Sequence, residues 1–390
     1  MLSPKAPAST ATKIKEVTGF SRQPDTLIYL GVPLKVGRLS SVDYSYLIDK
    51  VNGKFLAWKS KLLSQAGRIT LINSVISSLP IYITTASYIP KSIISYIERA
   101  SAVFFLDGAN GSHRRHWVAW PLIQKSVTKG GLGVRSLWHV QITLAIKQLW
   151  TLTQSSSIWA TYARRRYSLH HVSSIPGIPK VIYMQDMEVL KDNTRWVHGN
   201  GRSIRILHDT WIGETPLRDL IHTNNMEEET SLSDVVSDIS HPLRSSIPQY
   251  LMEGLELSSE EDKCIWAASN NGTFSTKSVY NLIRPKGVHR PALSNLWHNS
   301  FYRRASLFSW KILHRAVPVD ARISKIGIPM VSCCSCCHLH ASEDLDHLFI
   351  NSDLAISLWH WIYPLVSPKV TLHSHITARL WSFLQDSNTR

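Results

Sequence analysis

The sequence predicts a mainly α protein, with one short β-hairpin in a central linker and a small helical unit around a Cys/His cluster. Three observations carry this. Apolar residues recur at helical spacing through most of the first 150 positions. The turn Gly199-Asn200-Gly201 stands before a short alternating stretch, Ser203-Ile204-Arg205-Ile206-Leu207. Four of the five cysteines, Cys333, Cys334, Cys336 and Cys337, fall in one window. The length of 390 residues with 44% hydrophobic content suits two or three domains with true cores. Five cysteines at this length exclude a disulfide scaffold.

The elements follow in order. Asp43 to Ser60 spaces Leu47, Val51, Leu56 and Trp58 as a helix. Gly67 to Leu79 carries the stripe Ile69, Ile72, Val75, Ile76 and Leu79, and Pro80 is expected to stop it. Ser92 to Phe105 gives a third helix after Pro90. The cluster Gly130-Gly131-Leu132-Gly133 lacks phosphate-loop spacing and reads as a tight turn before a helix from Leu137 to Leu152. A hairpin is expected near 196–211. Asn270-Asn271-Gly272 is a further turn, and a helix follows from Thr276 to Ile283. Arg284 to Pro291 reads as a basic linker. Helices are expected over Phe308–Arg315 and Ala321–Ile326, on either side of Pro318.

The formal net charge is +15. Residues 1–150 hold 19 Lys/Arg and 6 Asp/Glu, a net of +13, and residues 151–390 hold 24 and 22, a net of +2. A polyanionic partner, RNA or DNA, is therefore expected to meet the first segment. The start of the chain, MLSPKAPASTATKIK, has no apolar signal core, and no run of about 18 uninterrupted apolar residues occurs. No membrane contact is expected. An intracellular setting fits, and the nucleus is compatible. Protein partners are not legible.

The Cys/His window offers metal chemistry. Cys333 with Cys336, and Cys334 with Cys337, form two C-x-x-C pairs, and either places two thiolates on one turn for a tetrahedral Zn²⁺. His347 is the natural third ligand. For the fourth, His338, His340 or a spare cysteine are candidates. Asp344 and Asp346 stand beside the cluster and read as supporting or surface charges, and Asp209 as a turn residue. Catalytic signals are missing from the sequence: there is no G-x-S-x-G, no H-E-x-x-H and no carboxylate pair of the kind two-metal nucleotidyl transfer needs.

Several short motifs occur together: Tyr29-Leu30-Gly31-Val32-Pro33-Leu34, Leu56-Ala57-Trp58, Leu62 to Arg68, and His116-Trp117-Val118-Ala119-Trp120 with Gly130 to Arg135. Gly199-Asn200-Gly201 with His208-Asp209-Thr210-Trp211 follows. Gly272-Thr273-Phe274-Ser275, Lys277 to Tyr280, Trp297, Phe308 to Lys311, His347-Leu348-Phe349 and Trp359 complete the set. In this combination the chain resembles the C-terminal part of a plant non-LTR (LINE-type) retrotransposon reverse transcriptase, from about residue 20 to residue 361. The resemblance implies a thumb-like basic helical segment over 1–150. It further implies a Trp-rich linker over 151–292, a zinc-binding domain over 293–365 and a tail over 366–390.

The same resemblance implies Cys334, Cys337 and His347 as Zn²⁺ ligands, with Cys333, Cys336 and His338 as alternates. The family's last ligand is a cysteine five residues after the histidine. Here that position is Ser352, a poor zinc ligand, and the gap from Cys337 to His347 is one residue longer than the pattern implies. The family's polymerase palm lies upstream of the thumb, and about 30 residues after Trp359 are too few for a ribonuclease H domain. The expectation is a truncated, non-catalytic retroelement fragment. Lys54, Lys59, Lys61, Arg68, Arg114 and Arg115 would touch a template–primer backbone, and Trp117 and Trp120 read first as packing residues. The rival expectations are a retroelement-derived protein-interaction or scaffold module, and an unstable degenerate gene product.

Overall fold

The computed structural model describes residues 7–19, 26–35, 39–59, 63–106, 116–167, 180–221, 230–365 and 373–386. Helices dominate it. In chain order the elements are α1 (Ala8–Thr18), β1 (Thr26–Tyr29), β2 (Val32–Lys35), α2 (Ser45–Lys59), α3 (Gln65–Leu71), α4 (Leu79–Ala86) and α5 (Lys91–Leu106). Next come α6 (Trp120–Ile123), α7 (Leu137–Gln154), α8 (Ile158–Tyr167), α9 (Lys180–Asp192), β3 (Thr194–Val197), α10 (Leu232–Ser237) and α11 (Gln249–Met252). The last are β4 (Lys263–Trp266), α12 (Thr276–Ile283), α13 (Arg303–Leu313), α14 (Asp320–Ser324), α15 (Asp353–Ile362) and α16 (Ile376–Asp386). Strand pairing is confined, among the described residues, to two antiparallel two-stranded sheets and one isolated bridge. The expected mainly α class is what the structure has.

The described residues fall into two units that interleave along the chain. One takes residues up to Asp43, Ile81–Pro90 and Trp138–Arg284; the other takes Tyr44–Pro80, Lys91–Leu137 and Pro285 onward. The sequence reading cuts the chain into consecutive pieces instead. Helices of the basic first segment thus share a unit with the Cys/His region, a relation that sequence order alone hides.

In the first unit, β1 and β2 pair through a turn at Leu30 and Gly31, both at positive φ (50° and 82°). Such turns suit the twist of the flanking strands, and a leucine there is strained. One core gathers Ile204, Ile206, Leu207, Trp211, Leu217, Leu232 and Val235. Another packs Ile146, Leu149, Leu190 and Val279 around the fully buried Trp266, with Phe274 stacked on Trp150 at 4.9 Å. A strand does form in the stretch where the hairpin is expected, but with a different partner. β3 pairs with β4, Thr194 opposite Trp266, while 203–207 only bridges at Arg205 to Ser231. The residues Ile204, Ile206 and Leu207 are all buried, so this short run is a core loop rather than a half-exposed strand.

The Gly-Asn-Gly turn is explained by a residue about sixty positions away. Asp262 Oδ1 accepts the N–H of Gly199 at 2.7 Å and of Gly201 at 2.8 Å, and its Oδ2 accepts the N–H of Ser203 at 2.8 Å. Successive backbone donors make a concave anion site, and here the anion is the protein's own carboxylate. A Cβ on Gly199 would lie 2.4 Å from the Glu260 carbonyl, so the close approach needs glycine. Asp209 does behave as a turn residue: its Oδ2 accepts the Arg205 N–H at 2.9 Å, and its Oδ1 pairs with Arg205 Nη2 at 2.8 Å.

In the second unit, α2 and α5 pack through Phe55, Trp58 and Phe104, with Phe55 and Phe104 ring centroids 5.0 Å apart. Ser64 caps α3 by accepting the Gly67 N–H. The chain then passes a π-helical turn over Ile72–Ile76 and enters α4 at Leu79. Pro80 therefore sits in the first turn of a helix instead of ending one, where its missing N–H costs nothing. By length and composition the helical stretch Gln65–Ala86 is apolar enough to cross a membrane, and 33% of its apolar 18-residue window is buried. The glycine cluster is a tight turn, as expected: a Cβ on Gly131 would collide with the Lys125 carbonyl at 2.0 Å. Its Gly130 carbonyl accepts Trp310 Nε1 at 2.8 Å and His314 Nε2 at 2.7 Å, which docks α13 on the turn.

Candidate metal centre

The C-x-x-C loop is held by its own backbone. Cys334 is fully buried, and its N–H donates to the Ala341 carbonyl at 2.9 Å, which folds residues 334–341 back on themselves. The Cys336 N–H points at Cys334 Sγ at 3.4 Å, and the Cys337 thiol at the Cys334 carbonyl at 4.0 Å. These contacts wrap the turn around the first sulfur. The third residue arrives from a separate element. His347 opens a π-helical turn (His347–Asn351), and its N–H donates to Asp344 Oδ1 at 2.7 Å. Its carbonyl accepts the Ser352 N–H at 2.8 Å, the wider closure that defines this turn.

The fold brings one ligand atom from each of Cys334, Cys337 and His347 within 4.8 Å of one another. In a tetrahedral zinc site with bonds of about 2.0–2.3 Å, ligand atoms stand roughly 3.5–3.8 Å apart. Contraction by about 1 Å would close three corners around an ion. One further observation fits a cation. His347 Nε2 is buried with no hydrogen-bond partner, a cost that a metal bond would remove. Burial pushes the Cys334 thiol above its ordinary value. A coordinated metal reverses that, because a bound thiol is deprotonated.

The alternates stand apart from this group. Cys333 is exposed, with Sγ 3.4 Å from His340 Nδ1. The Cys336 carbonyl accepts the Leu354 N–H at 3.2 Å, and the exposed His338 donates its N–H to Asp353 Oδ2 at 2.8 Å. Both residues stitch the loop to the start of α15. Ser352 is buried and already engaged: its Oγ donates to the Leu348 carbonyl at 3.1 Å and accepts the Ala355 N–H at 3.2 Å as the N-cap of α15. At the position where the resemblance implies a fourth thiolate, this chain has a helix cap.

The two neighbouring carboxylates support the loop. Asp344 holds the His347 backbone. Asp346 accepts His375 Nδ1 and the Ile376 N–H, each at 2.8 Å, and so ties the start of α16 to the ligand turn. Burial opposes ionisation of Asp346, but these hydrogen bonds hold its carboxyl below the usual range. Beneath the centre, Ile312, Ile350 and Ile376 form a small core with Phe349 and Trp359.

Residues 274–359 match the family described as zinc-binding in reverse transcriptase. All three clustered ligands lie inside the matched segment. The match relates the chain to retroelement proteins. The chain is also 25% identical over 365 residues to an Arabidopsis thaliana protein named "Putative ribonuclease H protein". The alignment covers 85% of this chain and 58% of that protein, so the chain spans under two thirds of the relative's length.

The expected nucleic-acid contacts are less gathered. Lys54 is exposed on α2. Arg68 is partly buried, its Nη1 donating to the Phe104 carbonyl at 3.4 Å and its guanidinium lying 5.8 Å from that ring's centroid. It is in part a packing residue. The side chain of Lys59, and Lys61, Arg114 and Arg115 entirely, lie outside the described residues. Trp117 is covered by the Arg322 guanidinium at 5.3 Å, and Trp120 Nε1 is buried, so both indoles pack.

Proposed function

We propose that this chain is the C-terminal part of a plant non-LTR (LINE-type) reverse transcriptase and acts as a nucleic-acid-binding, zinc-stabilised module without catalysis of its own. The observation that carries the reading is the convergence of Cys334, Cys337 and His347 inside a segment matching the zinc-binding domain of reverse transcriptases. The Arabidopsis relative comes from a plant, which supports the narrower source. Zn²⁺ held by these three residues would join the C-x-x-C loop to the start of the His347 turn. The +13 charge of residues 1–150 supports backbone contact with a template–primer duplex, with Lys54 the best-placed described residue.

Binding of the full chain to an RNA–DNA duplex across a salt series tests this. Affinity should fall steeply with salt, and Lys54→Ala should lower the slope by about one. Arg68→Ala should cost stability as well as affinity, because the side chain also packs on Phe104. Salt-independent binding, or DNA synthesis by the purified chain, would sink the reading.

A second reading, a protein-interaction module, has one observation in its favour. Leu354, Leu358 and Trp361 recur at helical spacing along α15 and are 55%, 50% and 70% exposed. Replacing all three with serine should abolish any self-association or partner binding if that face is used. Intact association would remove this reading.

A further inference from the structure

The second unit contains a cavity of about 310 Å³ that shares no lining residue with the metal centre. Its wall combines the turn carrying Lys125 and Lys129, the basic linker at Arg290, His314 after α13, and Trp381 of α16. No aspartate or glutamate lines it. Among the described residues, no carboxylate pairs with Lys125, Lys129 or Arg290. Three cations converging on one concave surface repel one another, and an anion there would relieve that cost.

The parts are held in place. The Arg290 N–H donates to the Thr128 carbonyl at 2.7 Å, which ties the linker to the lysine turn. Its guanidinium lies 5.1 Å from the centroid of the Trp381 ring. His314 Nε2 meets the Gly130 carbonyl at 2.7 Å, and a carbonyl can only accept, so the proton sits on Nε2 and leaves Nδ1 as an acceptor. Burial holds His314 below the usual histidine range, with nearby Lys125 adding to it against the pull of the Gly130 bond. The lining therefore combines three cations with a neutral imidazole and with the apolar Leu293 and Trp381, the indole carrying the Arg290 guanidinium on one face.

This pairing of donors with an apolar surface selects a ligand with a phosphate at one end and a flat ring at the other. Arginine and lysine bind phosphate through forked and point-charge contacts respectively. The volume is at the small end of ligand cavities, about 300–1,000 Å³, and suits one nucleotide rather than a duplex. We propose that this cavity binds a single nucleoside phosphate, with the phosphate on Lys125, Lys129 and Arg290 and the base against Leu293 and Trp381. The ligand is either a free nucleotide or the phosphorylated end of a strand, and both present the same chemistry.

The test uses the full chain at fixed, near-physiological salt. AMP is compared with adenosine, and a 5′-phosphorylated single-stranded oligonucleotide with its 5′-hydroxyl twin. A free-nucleotide site predicts AMP at least tenfold tighter than adenosine. A strand-end site predicts the phosphorylated oligonucleotide at least tenfold tighter than its twin, with AMP weak. In either case Lys125→Ala with Lys129→Ala should erase the preference, and Lys125→Gln with Lys129→Gln should do the same in a chain whose melting is unchanged. Equal binding within both pairs, or an undiminished preference in a folded double variant, overturns the proposal. Duplex affinity in the salt series is a separate measurement. Its loss with either phosphate preference intact would sink only the earlier reading, and loss of both preferences with duplex affinity intact would sink only this one.

Discussion

Replacing Asp262 is the sharpest test of how the linker region is built. Its carboxylate accepts three backbone N–H groups at 2.7–2.8 Å. Gly199 and Gly201 are buried, so their donors cannot be rehydrated where they stand, while Ser203 is exposed and its donor can turn to water. In Asp262→Ala two buried donors lose their partner, each at about 1–3 kcal/mol, and the third costs little. The expected loss is about 3 kcal/mol. Asp262→Asn keeps one oxygen for the two glycines and forfeits the charge and the Ser203 bond, so its loss should be about 1 kcal/mol. Equilibrium urea unfolding of the full chain, followed by tryptophan fluorescence, reads the transition of this unit. Trp266 and Trp211 lie in its cores and report it directly. If Asp262→Ala and wild type differ by less than about 0.5 kcal/mol, or the asparagine variant is the weaker of the two, the carboxylate does not hold the turn.

Other outcomes follow from single residues. Ser352→Cys exchanges the cap of α15 for a potential fourth thiolate. The metal-free protein should lose about 1 kcal/mol, while resistance of bound zinc to a chelator should rise at least tenfold; unchanged chelator resistance would show that position 352 cannot reach the ion. Asp186 is buried with Oδ2 unpartnered, and burial raises its carboxyl from 3.8 to about 7. A raised value favours the protonated form in the folded chain, so stability is present below about pH 4 and is lost as pH climbs through about 7. The interval corresponds to roughly 4 kcal/mol at most, and Asp186→Asn should flatten the stability profile between pH 5 and 8. A profile that stays steep in this variant would assign the effect elsewhere.

Local signals were legible where one residue decides the structure. Ser275 accepts the Ser278 N–H as the cap of α12, and the predicted span Thr276–Ile283 is the observed one. The Cys/His window was readable because ligand chemistry restricts residue type and spacing, but spacing left two C-x-x-C pairs open and the family resemblance chose between them. Pro80 misled, since a proline marks a helix start as well as a stop. The run 203–207 alternates like a strand, but its partner surface is the core rather than a neighbouring strand. The β1–β2 hairpin escaped because Leu30-Gly31 lacks the usual Asn-Gly signal. Helices α8, α9, α15 and α16 passed unread, and the role of Asp262 depends on a contact about sixty residues away. The Lys125, Lys129 and Arg290 wall is invisible in sequence for the same reason: two distant segments build it.

Zinc content of the purified full chain, measured by elemental analysis after exchange into metal-free buffer, tests the central claim most directly. The account predicts about one zinc per chain, reduced to background by Cys334→Ser with Cys337→Ser and by His347→Ala, and unchanged by Cys333→Ser. A chain that carries no zinc, or one whose zinc survives loss of both Cys334 and Cys337, would contradict it.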